Sequence, residues 1–257
     1  MGLQEVEFST ERSRSYKLAL NQFPNCWLED KIMMYDFLAP KAGESILEIG
    51  AGSGFFSFDI AQAIGPEGML HVVDPSPDQL QPIYDKATPN ICVVQKPAED
   101  INLPWDTQLD AIWSRGAFHH VKSKEAVLKN LGLLSKQGTR LVTCDIFSGT
   151  KLSDYFDEHV AVSCTTGHEV SFLSQAYAKS LCKITGWSEP EFHEIALQWH
   201  FEEKKDIGVF LSLLHSNKPE YSHQDSLLDA ERLLGIKRTP TGWALNWPMT
   251  VMVASKL

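Results

Sequence analysis

Residues able to do chemistry gather in four places along the 257-residue sequence. The first is Leu47-Glu48-Ile49-Gly50-Ala51-Gly52-Ser53-Gly54-Phe55-Phe56. Glycines so spaced let a backbone turn sharply and let a ligand press on bare main chain. If a helix opens there, its first amide hydrogens face that ligand. The second place is Asp74, followed by Pro75 and Ser76. A carboxylate offers two oxygens in one plane, which suits the vicinal hydroxyls of a ribose. The third is Trp113-Ser114-Arg115-Gly116-Ala117-Phe118-His119-His120-Val121. Histidine titrates near neutral pH, so His119 or His120 can take a proton from a hydroxyl, an ammonium or an acidic carbon. The plainer alternative is a histidine packed beneath its loop. The fourth is Asp157, Glu158, His159, Cys164, His168 and Glu169. These types suit a transition metal, yet their spacing matches no metal motif, and polar loops gather such residues by chance. No metal is expected; His159 and His168 are expected on the acceptor side, against the alternative of a solvated loop.

These residues need elements to hold them. From about residue 43, short apolar runs alternate with longer amphipathic ones, the pattern of a parallel sheet with crossover helices. The expected strands are Ser45–Ile49, Met69–Val73, Ile91–Gln95, Leu109–Trp113 and Arg140–Cys144, then a late pair near Phe192–Leu197 and Met249–Ala254. The expected helices are Ser13–Leu20, Trp27–Leu38, Phe55–Ile64, Pro77–Ala87, Lys124–Leu134, Phe172–Ile184, Lys204–Leu214 and Asp225–Leu234. Ser76, Ser123 and Ser171 stand where N-caps belong. Pro82 should kink or shorten its helix. Residues 146–169 read as irregular and mostly polar. In an open parallel sheet, ligands sit beyond the carboxyl ends of the strands, where the glycine loop, Asp74 and residues 114–120 would all lie.

A dinucleotide fingerprint GxGxxG from Gly50 would need glycine at 55, where the chain has Phe55, so a nicotinamide dehydrogenase is disfavoured. The observed E-x-G-x-G-x-G resembles the first motif of class I S-adenosylmethionine (SAM)-dependent methyltransferases. The likeness extends, in order, to Asp74, to Pro97-Ala98-Glu99-Asp100 and to the histidine segment, over about residues 43 to 145. It implies an α/β Rossmann-like, seven-stranded, mostly parallel sheet with helices on both faces. It implies SAM over Glu48, Gly50, Ala51, Gly52 and Gly54, its ribose on Asp74, and its adenine near Pro75, Ala98 and Glu99. Ser114 and Arg115 would pass beside its methionine end. Pro97 stands where the family often has an acid, so Glu99 or Asp100 would have to substitute. It also implies an acceptor cap over residues 146–190, within a methyltransferase domain of residues 43–257 that follows an N-terminal helical cap of residues 1–42.

Composition narrows the partners. The net charge of -10 and the lack of a Lys/Arg run disfavour nucleic acid. Five scattered cysteines suggest reduced thiols and a cytoplasmic protein. No apolar stretch reaches membrane length and the first residues lack a signal-peptide core. Tyr16, Trp27, Tyr35, Trp199, His200, Phe201, Trp243 and Trp247 are candidates for an aromatic pocket wall. The expectation is a monomer or homodimer that methylates a small, aromatic or apolar acceptor. The rivals are methylation of protein or RNA, and SAM binding without transfer.

Overall fold

The structure, a computed structural model, describes residues 10–104, 106–167 and 170–257. Two helices, α1 (Thr10–Gln22) and α2 (Leu28–Leu38), precede the sheet. Then come β1 (Ser45–Ile49), α3 (Ser57–Ile64), β2 (Met69–Val73), α4 (Pro77–Lys86), β3 (Ile91–Val94) and β4 (Leu109–Arg115). Next are α5 (Lys124–Leu133), β5 (Ser135–Asp145), α6 (Lys151–Tyr155), α7 (Ala161–Ser163) and α8 (Gln175–Thr185). The chain continues through β6 (Glu191–Phe201), α9 (Lys204–His215), α10 (His223–Leu233), β7 (Ile236–Thr239) and β8 (Gly242–Ser255). The sheet order is β3-β2-β1-β4-β5-β8-β6, with β7 on β8. Strands β1 to β5 pair in parallel, and β8 runs antiparallel to its neighbours.

Alternate residues of the central strands feed two separate cores, as period-2 geometry requires. Ile46, Trp113 and Val142 face α2, α3, α4, α9 and α10. Leu47, Ile112 and Leu141 face α5 and α8. Both faces are covered, so the strands read as unbroken apolar runs.

Four elements depart from the sequence reading. Residues 151–163 are helical rather than irregular: α6 and α7 flank a π-helical turn at Phe156–Val160. Thr150 and Ser153 form a reciprocal cap, and Leu152, Tyr155, Phe156 and Val160 make a buried helical stripe hidden among polar neighbours. Helix α8 starts at Gln175, capped by Ser174, because Ser171 instead donates its backbone N–H to the His119 carbonyl. At α5, the hydroxyl of Ser123 makes no capping bond; Glu99 accepts from the Lys122 and Ser123 amides in its place. Among the described residues the short β7 adds an eighth strand to the expected seven, and β8 is longer than expected. Pro248 lies within β8: β5 reaches only Thr250 and β7 only Leu245, so the proline faces a gap on one side.

Pro82 does not end α4. A proline there leaves the Asp78 carbonyl without its helical N–H. Lys17 Nζ of α1 donates to that carbonyl at 2.8 Å. The Thr10 amide donates to the Asp78 carboxylate at 2.6 Å. The flaw in one helix is thus the docking point of another.

Candidate active site

The floor of the site is the turn between β1 and α3. Gly50, Gly52 and Gly54 all have positive φ, at 73°, 53° and 84°. A Cβ on Gly50 would come within 2.1 Å of the Ala117 Cβ, so glycine is what lets the loops after β1 and β4 touch. A Cβ on Gly52 would meet nothing nearer than 3.9 Å. Gly52 lines an open space; Gly50 closes a seam. The Gly52 amide donates to Asp74 Oδ2 at 3.0 Å and the Ser76 amide to Oδ1 at 2.9 Å. Burial pushes the Asp74 carboxyl up, only partly offset by those two bonds. Behind the loop, Ser57 Oγ donates to Glu48 Oε2 at 2.5 Å. Burial, with Asp74 nearby, pushes Glu48 up to about 8 despite that bond.

A cavity of about 240 Å³ opens above this floor. Gly50, Gly52, Asp74, Pro75, Ala98, Glu99 and Arg115 line it, as do His119, His120, Tyr16 and Trp199. Glu48, Ala51, Gly54 and Ser114 are absent from its lining. Glu48 is buried behind the loop, where its carboxylate accepts from Ser57. A Cβ on Gly54 would strike Ile83 and Phe58, so that glycine serves packing against α4. Ser114 is fully buried inside β4. His159 does not reach the cavity either. Its Nδ1 pairs with Asp229 at 2.9 Å and its Nε2 with Ser226 at 3.3 Å. The π turn brings Phe156 to the wall instead. His168 lies outside the described residues.

Of the aromatic candidates, Tyr16, Trp27, Trp199 and Trp247 line the cavity. Trp199 and Trp247 stack at 3.9 Å between centroids. His200 points away, as the next residue on a strand must, and bonds Glu29. Tyr35 is exposed, Phe201 is buried core, and Trp243 lies against Lys204. Sequence reasoning missed Arg12, Gln79, Phe156 and His215. Phe156 was legible from the 152-155-156-160 spacing; His215, at the end of α9, carried no local signal.

Two buried pairs shape the chemistry. His119 is 5% exposed, and its Nδ1 lies 2.5 Å from Asp145 Oδ1. Asp145 also accepts from the backbone amides of His119 and Ile146. Burial pushes the Asp145 carboxyl up, but His119 and these bonds outweigh it and hold it below the usual range. Arg115 pairs with Asp30, lies 4.4 Å over the Trp27 ring, and shares Asp30 with Trp199 Nε1 at 3.0 Å. Burial opposes the Arg115 charge, but Asp30 overrides it and raises Arg115 further. Lys124 Nζ ties the histidine loop down through the Val121 carbonyl and Ser171 Oγ.

Residues 46–138 match the family model described as a methyltransferase domain. The arsenite methyltransferase of Halobacterium salinarum is 26% identical over 200 residues, 71% of this chain and 49% of that protein. The chain therefore spans about half the length of this curated relative. The YcgJ protein of Bacillus subtilis shares the fold with TM-score 0.63 and 16% identity, over 89% of this chain and 98% of that one. Phosphoethanolamine N-methyltransferase 2 of Haemonchus contortus, in complex with SAM, shares it with TM-score 0.66 and 14% identity, over 99% of this chain and 60% of that one. The fold is thus the α/β Rossmann-like one of methyltransferases. Residues 46–138 thus match a methyltransferase domain, and SAM is the cofactor that this match and the SAM-bound structural neighbour support. The geometry fits that cofactor: a Cβ-free space over Gly52 adjoins a carboxylate already fixed by two amides. Among the described residues, no helix is long and apolar enough to cross a membrane.

Proposed function

We propose that this chain transfers a methyl group from SAM to a small-molecule acceptor with an aromatic or apolar body, and that His119 is the base. One observation carries the reading. A single cavity runs from Gly52 and Asp74, past the His119–Asp145 pair, to a wall of Tyr16, Trp27, Phe156, Trp199 and Trp247. Gly50, Gly52, Asp74, Pro75, Ala98 and Glu99 hold the cofactor. When bound, SAM supplies the activated methyl group. With the Nδ1 proton donated to Asp145, Nε2 is the basic nitrogen of His119 and takes the acceptor's proton. The buried Asp145 carboxylate then steadies the imidazolium. The Arg115–Asp30 pair fixes Trp27 and Trp199, which with the other rings exclude water.

In this reading the sequence divides into an N-terminal cap, residues 1–42, and a catalytic domain, residues 43–257, with 146–190 as its acceptor cap; Arg12, Tyr16, Trp27, Ile146 and Phe156 are the cap residues at the cavity. The proposed state is a monomer or a homodimer. A cavity of about 240 Å³ walled by aromatic rings favours a small acceptor over protein or RNA. Among the described residues, no cysteine lines it, so arsenite, a thiol-seeking acceptor, is not adopted. A cytoplasmic location accords with the reduced cysteines. Calorimetry with S-adenosylhomocysteine (SAH) is expected to show one site. Tritiated methyl from SAM, given cell extract, should appear in the low-mass fraction. Label only in macromolecules, or binding with no labelled product at all, overturns the reading.

A further inference from the structure

The far end of the cavity contains a polar group that nothing above uses. His215, the last residue of α9, lines the cavity and is 4% exposed. Among the described residues, its Nε2 has no hydrogen-bond partner. Buried polar nitrogens are paired as a rule, and one left alone costs about 1–3 kcal/mol. An unsatisfied nitrogen at the wall of a binding cavity is satisfied by what binds there.

Its surroundings describe the missing partner. The ring lies 21° from parallel to Trp247, stacked at 6.3 Å, and 5.5 Å from Phe156. Phe156 is also 6.1 Å from the His119 ring. Both histidines therefore lie within ring-contact distance of Phe156, on one stretch of aromatic wall that favours a flat ring. Burial pushes His215 well down from its ordinary value, and His159 and Arg12 push the same way. Its imidazole is neutral, with one donor and one acceptor nitrogen. A hydroxyl both donates and accepts, so it satisfies Nε2 in either tautomer. A carboxylate satisfies only one of them, and an ammonium only the other.

We propose that His215 selects the acceptor: a single aromatic ring with two polar substituents, one meeting His119 for methylation and the other, a hydroxyl, bonding His215. This deepens the proposed function and rests on it. The probes are resorcinol and 3-methylphenol, alike in shape except that a methyl replaces one hydroxyl. Their binding is measured by calorimetry, with and without SAH. Wild type is expected to prefer resorcinol about tenfold, the worth of one buried hydrogen bond. His215→Phe should bring the ratio near one, and His215→Gln, which keeps a hydrogen-bonding group, should retain part of it. SAH affinity should be unchanged in both variants. Equal binding of the probes by wild type overturns the proposal, as do a full preference surviving in His215→Phe and binding of neither probe. Loss of SAH binding by wild type would instead overturn the methyltransferase reading, and the ratio measured without SAH keeps the two failures apart.

Discussion

Two glycines of one turn should fail in opposite ways. Gly50 and Gly52 both have positive φ, so alanine at either carries a left-handed backbone cost of about 1–2 kcal/mol. They differ in what a Cβ meets. At Gly50 it meets the Ala117 Cβ at 2.1 Å, far inside any tolerated contact, and must push two loops apart. Overpacking of that kind adds about 1–3 kcal/mol. Gly50→Ala should therefore cost about 2–5 kcal/mol, against about 1–2 for Gly52→Ala. At about 2–4 °C per kcal/mol for a chain of this size, the two melting temperatures should differ by roughly 2–12 °C. At Gly52 the added carbon meets nothing nearer than the Gln79 side chain at 3.9 Å and enters the cavity. Gly52→Val should melt near Gly52→Ala yet lose SAH affinity by about a hundredfold or more, the worth of about 2.7 kcal/mol. The assays are thermal melting without cofactor and calorimetry with SAH. Near-wild-type SAH affinity in Gly52→Val, or Gly50→Ala as stable as Gly52→Ala, would refute the division between space and seam.

Other perturbations test the remaining contacts. Asp145→Asn should lower turnover about a hundredfold or more while SAH affinity stays within about twofold, because it disturbs the base and not the cofactor floor. Equal loss of both would make Asp145 a folding residue instead. Glu48 is held up at about 8 when folded, above its value in the unfolded chain. Between those values the folded state holds the extra proton, so stability should fall by a few kcal/mol as pH rises from about 5 to 8. Glu48→Gln should flatten that slope in pH-dependent melts; an unchanged slope would exclude Glu48 as its source. Lys17→Met should cost about 1 kcal/mol by leaving the Asp78 carbonyl unsatisfied. In a Pro82→Ala background the restored N–H should shrink that loss, and strictly additive effects in the double-mutant cycle would refute the link.

How much could be read from residues depended on how local the cause was. The turn at Gly50–Gly54 and the end of β2 at Asp74 announce themselves, because the constraint lies within a few residues. Both histidines stood next to a strand end and both reach the cavity, but only contact across the sheet singles out His119, through Asp145, 26 residues away. His159 looked chemical by type and is engaged by Asp229, 70 residues on. His215 looked like an ordinary helix terminus and lies at the cavity wall. The helical run 151–163 was obscured because polar residues outnumber its apolar stripe. The full length of β8 was not legible because the strand runs through Pro248, and a proline's tolerance depends on where neighbouring strands stop. In each case the deciding partner was distant in sequence.

The roof of the cavity has a bearing on how the protein is made. Residues near the start of the chain are clasped by residues near its other end. Ser15 Oγ bonds the Leu213 carbonyl, Glu29 accepts from the Gln198 amide, and Asp30 accepts from Trp199. A nascent chain emerging from the ribosome therefore carries α1 and α2 long before their partners exist. Its glycine turn and parallel strands can form early, since their contacts are nearer in sequence. The pocket cannot close until β6 and α9 have been synthesised, so ligand-binding competence comes later than the parallel half of the sheet. Until then, Trp27 and Tyr16 lack the partners that bury them, and the interval in which a chaperone would be most useful falls before β6 and α9 emerge.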